Sequence, residues 1–324
     1  LKPALADLPK SINQLTIIPD GSLNYIPFEI LTNKIAQTPS QDFSKMPYLL
    51  YNYQIKYGYS STLLRENKNR SQELSSNSNC LAYAPVYQNN QPIAQIGTMR
   101  TLRNTTTNLK GTALQIQAVA KYFGGEFNQS ETATKQNFIK QAPNFGILHL
   151  AMHGEANFEN EKMANLKFAN TSDTLNDEYL MYHSDIVNLD LNAQLVVLSA
   201  CETGLGKYIY GEGIASLGRS FMYAGVPSIV MSLWKVDDQS PSELMPFFYK
   251  RLAKGMSKDK ALHDAKIEYL EKADFANLHP HYWAGFVAIG DVQPIKRQNN
   301  IMRWMLGILF LLSFLALYFI VKKG

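Results

Sequence analysis

Cysteine is the first thing this sequence has little of. Its 324 residues hold two, Cys80 and Cys201, and both fall in or beside short apolar runs. A disulfide framework needs more cysteines in a smaller chain, so the sequence reads as one kept in a reducing compartment. Excess charge of one sign is also lacking. Lys and Arg number 31 against 27 Asp and Glu, a net charge of +4, and no basic cluster interleaves with aromatics, so nucleic-acid binding is not suggested. No signal peptide opens the chain and no internal repeat runs through it. The first residue is Leu1, not Met, which suggests a fragment of something longer. Long hydrophobic runs occur once, at Trp304–Val321, where 18 residues carry no charge. Such a run spans a bilayer core of roughly 30 Å. It reads as a single C-terminal transmembrane helix, 304–321, in preference to a buried core helix. Basic residues flank it on both sides (Lys296, Arg297 and Arg303 before; Lys322 and Lys323 after), so they do not orient it. Free thiols and the missing export signal favour a cytoplasmic location for the preceding domain.

What the sequence does have centres on residues 194–236. Leu195–Leu198 is a β-branched and aliphatic run that reads as a buried strand ending in Ser199-Ala200-Cys201 and a glycine-rich loop. Cys201 therefore stands at the carboxyl end of a central strand, where reactive groups of open α/β sheets gather. Gly213–Ala224 has helical spacing, Gly225 stops it, and Ser228–Trp234 reads as another buried strand. Upstream, Phe145–Met152 reads as a strand ending in His153-Gly154. If the two strands are neighbours in a parallel sheet, imidazole and thiol emerge at one edge. A thiol nucleophile needs a base nearby and backbone N–H donors for the oxyanion. The amides of Gly154 and Cys201 are the candidate donors.

Along the rest of the chain, Leu15–Ile18 is a short strand, and Tyr48–Leu64 holds a strand and a helix start at Ser60. Residues 66–79 read as a linker or exposed loop. Cys80–Ala84 reads as the first strand of the main sheet, and residues 87–108 as a long polar loop. Helices are expected at 112–123 and 131–141, giving a β-α-β-α-β order and a parallel sheet. A hairpin (166–169 with 179–182), a brief helix (183–187), helices at 241–252 and 258–272, and a last strand at 283–289 complete it. The expected fold class is α/β, with a mainly parallel central sheet.

Several segments then align with one family. HLAMHG, VVLSACETG, GEGIASLGRSFMYAGVPSIVMSLWKVDD and HPHYWAGFVAIG resemble the CHAT domain, a group of caspase- and separase-related cysteine peptidases of clan CD. The resemblance runs from about Leu15 to Gly290. It implies a caspase-like three-layer sandwich, with a supporting N-terminal α/β subdomain over 1–78 and the peptidase domain over 79–292. A linker (293–303) and the spanning helix would follow. It also implies a catalytic dyad of His153 and Cys201, no metal or other cofactor, a protein substrate, and activation by a sensor or partner, often helical repeats. Membrane-anchored cleavage of a specific partner, in bacterial defence or regulated proteolysis, is the implied function. A catalytically silent module that docks partners at the membrane is the alternative.

Other residues carry open readings. On composition alone Cys201 reads first as a small buried hydrophobe; the strand end, the glycine-rich loop after it and the motif match turn the reading to a nucleophile. His149 stands four residues before His153, but residues four apart on a strand lie about 13 Å apart, too far to share a metal. It reads as a satisfied core histidine. Gly204, Gly206, Gly211 and Gly213 have the wrong spacing for a dinucleotide fingerprint and read as loop formers. Asp237 and Asp238 either sit ahead of a helix N-terminus or, with Trp234, line the pocket for the side chain preceding the scissile bond, as in related peptidases. In the second case an acid selects Lys or Arg, and Asp238 is the preferred candidate.

Overall fold

The computed structural model describes residues 8–9, 11–32, 42–85, 99–170, 177–199, 204, 206–209, 213–236 and 239–297. The expected spanning helix, 304–321, and the linker from residue 298 lie outside the described residues. Among those described, no helix is long and apolar enough to cross a membrane.

Strand β1 (Gln14–Ile17) leads through 3-10 turns at Gly21–Tyr25 and Phe28–Ile30 to β2 (Gln54–Tyr57) and α1 (Ser61–Glu73). The Ser60 hydroxyl caps α1 by accepting from the Leu63 amide at 3.1 Å. The stretch from residue 66, read as a linker, is helix up to Glu73. Its small polar residues Asn67 and Ser71 are buried, so a polar composition here marks an inward face. β3 (Cys80–Ala84), α2 (Met99–Tyr122), β4 (Gly125–Gln129), α3 (Lys135–Gln141) and β5 (Ile147–Leu150) follow. α2 begins at Met99, inside the stretch expected to be a loop, since no Gly or Pro interrupts residues 99–110. Thr134 caps α3, accepting from the Asn137 amide at 3.3 Å, so this helix begins after Thr134 and not at Glu131.

Beyond β5 come β6 (His153–Glu155), β7 (Asn165–Lys167) and β8 (Leu180–Tyr182), then α4 (His183–Val187) and β9 (Leu195–Leu198). The expected helix 213–224 is divided. β10 (Lys207–Ile209) pairs with β11 (Gly213–Ala215) in a hairpin, and α5 (Leu217–Tyr223) starts only after Ser216, whose hydroxyl accepts from the Arg219 amide at 3.4 Å. β12 (Ser228–Ser232), α6 (Gln239–Ala253), α7 (Lys258–Lys272), α8 (Pro280–Trp283) and β13 (Phe286–Gly290) complete the chain. The last strand starts at Phe286 and not at Trp283, because Pro280 opens a helical turn.

The main sheet has eight strands in the order β1-β2-β13-β12-β9-β5-β3-β4. β12, β9, β5, β3 and β4 form a parallel block. β13 is antiparallel to β12, and β1 and β2 extend the same sheet through the Tyr57–Ile289 pairing. Alternation along the strands sends Leu148, Leu150, Val196, Leu198, Ile229 and Met231 to one face, under Phe138, Ile186 and Phe221. The other face carries Ile147, Leu195, Val197 and Val230 under Phe248, Tyr249 and Trp283. The sheet lies between two helical layers, each burying its own core. A separate three-stranded antiparallel sheet, β6-β7-β8, follows the end of β5.

Candidate active site

β5 and β9 are direct neighbours, paired in parallel with Leu150 opposite Leu198. His153 stands three residues past Leu150, and Cys201 stands three residues past Leu198 in the chain. The β5–β9 neighbourhood expected from the sequence is present. Cys201 itself, with Asp237 and Asp238, lies outside the described residues.

His153 opens β6, which is held antiparallel to β7 with His153 opposite Lys167. Two residues after the buried end of β5, the backbone leaves the main sheet and joins the small one, so the imidazole stands at the rim, half-buried. Burial, then the nearby Lys235 and Lys167 ammonium groups, hold its pKa below the ordinary histidine value. Glu155 opposes them. Burial and both lysines disfavour the imidazolium and so favour the neutral ring, the form able to accept a proton. Lys167 is ion-paired with Glu155. Gly154 is buried in the middle of β6, opposite Leu166.

Trp234 follows β12 and is half-buried. Its indole N–H donates to the His281 carbonyl at 2.8 Å, and its ring stacks on the His281 imidazole at 6.3 Å and 10°. A Cβ on Gly285 would lie 3.0 Å from the indole, so the bare backbone of Gly285 admits the ring. In the HPHYW segment His279 and His281 are exposed and Trp283 supplies the packing. Trp283 is fully buried, meets Tyr48 edge-on at 5.4 Å and donates to the Leu278 carbonyl at 3.1 Å.

His149 is sealed in the core between the sheet and α6. Its Nδ1 shares a 2.8 Å hydrogen bond with the Tyr249 hydroxyl, and burial pushes its pKa down to about 3. The expectation of a satisfied histidine needs one correction: Nε2 is buried without a hydrogen-bond partner among the described residues. Among the described residues no cluster of His, Cys, Asp and Glu could hold a metal. Lys235 and Lys167, the charges that tune His153, were missed from sequence. Lys235 directly follows Trp234, which was the available signal; nothing in sequence marked Lys167.

The CHAT domain profile matches residues 1–291, and the chain belongs to the CHAT domain family. A mouse relative, tetratricopeptide repeat protein 28, is 33% identical over 126 residues, which are 39% of this chain and 5% of the relative. The human protein of the same name is 31% identical over 126 residues, with the same coverage. The chain thus spans about one-twentieth of the length of these relatives. Among solved structures, the complex of Porphyromonas gingivalis RgpB pro- and mature domains is similar, with TM-score 0.54 and 12% identity over 91% of this chain and 68% of that one. That likeness concerns the fold. RgpB is described as the Arg-specific cysteine proteinase gingipain R.

Proposed function

We propose that the chain is a cysteine endopeptidase that cleaves a specific protein partner through His153 and Cys201. The observation that carries this reading is the β5–β9 register, which sets the residues leading to His153 and to Cys201 side by side. The lowered pKa of His153 supports its part, since a base must be neutral to take a proton. In the proposed chemistry His153 accepts the thiol proton and the Cys201 sulfur attacks the peptide carbonyl. The amides of Gly154 and Cys201 hold the oxyanion. The C–N bond then breaks, and His153 returns the proton to the leaving amine. Water, deprotonated by the same imidazole, hydrolyses the thioester and frees the thiol.

Asp238, with Asp237 beside it and Trp234 forming the wall, selects Lys or Arg before the scissile bond. The 304–321 run tethers the domain to a membrane on its cytoplasmic side. Activation by a helical-repeat sensor is favoured by the similarity to proteins named for tetratricopeptide repeats. Profiling against a peptide library tests the reading. The expected result is cleavage after Lys or Arg, absent in Cys201→Ala and reduced roughly 10- to 100-fold in Asp238→Asn, the worth of a charge-assisted hydrogen bond. No cleavage by the wild type, with a bound partner recovered intact, would favour the docking module.

A further inference from the structure

The chain after Cys201 is held by residues far from it in sequence. The Tyr25 hydroxyl donates to the Gly206 carbonyl at 2.9 Å. The Tyr59 and Ser216 hydroxyls share a hydrogen bond at 3.1 Å. Gly206 and Ser216 stand five and fifteen residues beyond Cys201 and bracket the β10–β11 hairpin. A third tie comes from the sheet, where the Gly204 amide donates to the Ser232 carbonyl at 3.0 Å. A Cβ at Gly204 would lie 2.7 Å from that same oxygen, so only glycine allows this approach.

We propose that Tyr25 and Tyr59 are positioning residues that hold Gly206 and Ser216, at the two ends of the β10–β11 hairpin that follows Cys201; the proposal rests on the peptidase reading above. The segment from 204 to 213 contains four glycines, whose wide conformational range makes it costly to order. Among the described residues β10 and β11 pair only with each other, so no strand of the main sheet pairs with the hairpin. Among the described residues it is held by the Tyr25 and Tyr59–Ser216 hydroxyl bonds, by the Gly204–Ser232 backbone bond just ahead of it, and by packing. Asn24 and Tyr59 from the N-terminal part meet Gly204, Ile214 and Leu233 around a cavity of about 20 Å³. That space holds one water at most, so the two parts are in close contact with no room for a ligand between them. Tyr59 is fixed in turn by the Arg219 guanidinium, 5.6 Å from its ring centre. Neither tyrosine touches the reacting atoms in the proposed chemistry. Each acts through the backbone leading from Cys201, so a partner that displaced residues 19–26 would alter the geometry behind the sulfur.

The test compares wild type, Tyr25→Phe, Tyr59→Phe and the control Tyr51→Phe, whose hydroxyl bonds the Ser44 carbonyl away from this segment. Two readouts are taken on the full chain: amide hydrogen exchange of peptides covering 201–216, and the rate and half-saturation of Cys201 labelling by an arginyl chloromethyl ketone. The expected result is exchange roughly five- to tenfold faster across 201–216 in Tyr25→Phe and Tyr59→Phe, the effect of one lost hydrogen bond. β9 and β12 peptides and the melting temperature should stay as in wild type. The maximal labelling rate should fall by a similar factor, with half-saturation little changed, and Tyr51→Phe should match wild type in both. Exchange across 201–216 equal to wild type in both variants would overturn the proposal. If the wild type is not labelled at all, the peptidase reading fails, and hydrogen exchange alone still decides whether the tyrosines order the segment.

Discussion

The two ends of the five-stranded parallel block are finished in different ways. At the amino end the strand starts are laced together. The Cys80 amide bonds Gly124 O, Gly146 bonds Asn79 O, Gln194 bonds Gly146 O and Asp291 bonds Pro227 O. The Gln194 side chain donates to the carbonyls of Asn77 (2.6 Å) and Lys296 (3.0 Å) and accepts from the Lys296 amide at 2.7 Å. Lys258 and Asp291 form a buried pair at 3.7 Å. At the carboxyl end, β5 and β9 stop at Leu150 and Leu198, the backbone turns away into small sheets and hairpins, and an imidazole of lowered pKa stands at the rim. The rim leads to groups that the proposed chemistry uses. The fold thus ties the strands together at one end and, in the proposed chemistry, places its reactive groups at the other, and substitutions at the two ends should separate accordingly.

The largest expected effect comes from breaking the base. Lys258→Met leaves the Asp291 carboxylate buried without its cation and should cost about 3–5 kcal/mol in urea denaturation; a loss below about 1 kcal/mol would mean the pair does not lock this end. Next is the acid limb of stability, which sets sealed His149 against exposed histidines. The unfolded chain takes up a proton on His149 near pH 6.5, and the native state only near pH 3. Stability is therefore complete above pH 6.5 and falls as pH drops from there toward 3, by up to about 5 kcal/mol. His149→Gln, which keeps an acceptor for Tyr249, should flatten that slope, as followed by circular dichroism against pH. The smallest effect on stability is expected at the rim. Lys167→Met removes a partly exposed ion pair and should change unfolding by less than about 1 kcal/mol. It nevertheless removes a positive charge beside His153 and frees Glu155, so the imidazole titration should move upward in NMR. An unmoved titration would mean Lys167 does not tune the ring.

Much of this division was legible in the sequence. Apolar runs at 145–152, 195–198 and 228–234 marked buried strands, two to four residues longer than the observed β5 and β12, and the β5–β9 neighbourhood was a condition that the observed register meets. Helix α7 was bounded at Lys258 and Lys272 from its periodicity alone. What escaped has a common physical cause. Tertiary contacts turn locally ambiguous stretches one way: Asn67 and Ser71 become a helix face only because α5 and β13 lie beside them, and Gly213–Ala215 becomes a strand only because β10 pairs with it. Partners distant in sequence leave no local mark, so Lys167 beside His153, Tyr249 on His149, and the Lys266 ammonium 2.8 Å from the buried Glu29 carboxylate could not be read from spacing.

The central claim is that one imidazole and one thiol work together at the carboxyl end of β5 and β9. Intact-mass analysis after treatment with a peptidyl chloromethyl ketone tests it most directly. The account predicts a single adduct mapped to Cys201 in the wild type, none in Cys201→Ala, and labelling slowed at least about 100-fold in folded His153→Ala, the scale of a lost general base. Equal labelling of wild type and His153→Ala, or an adduct that maps elsewhere, would contradict it.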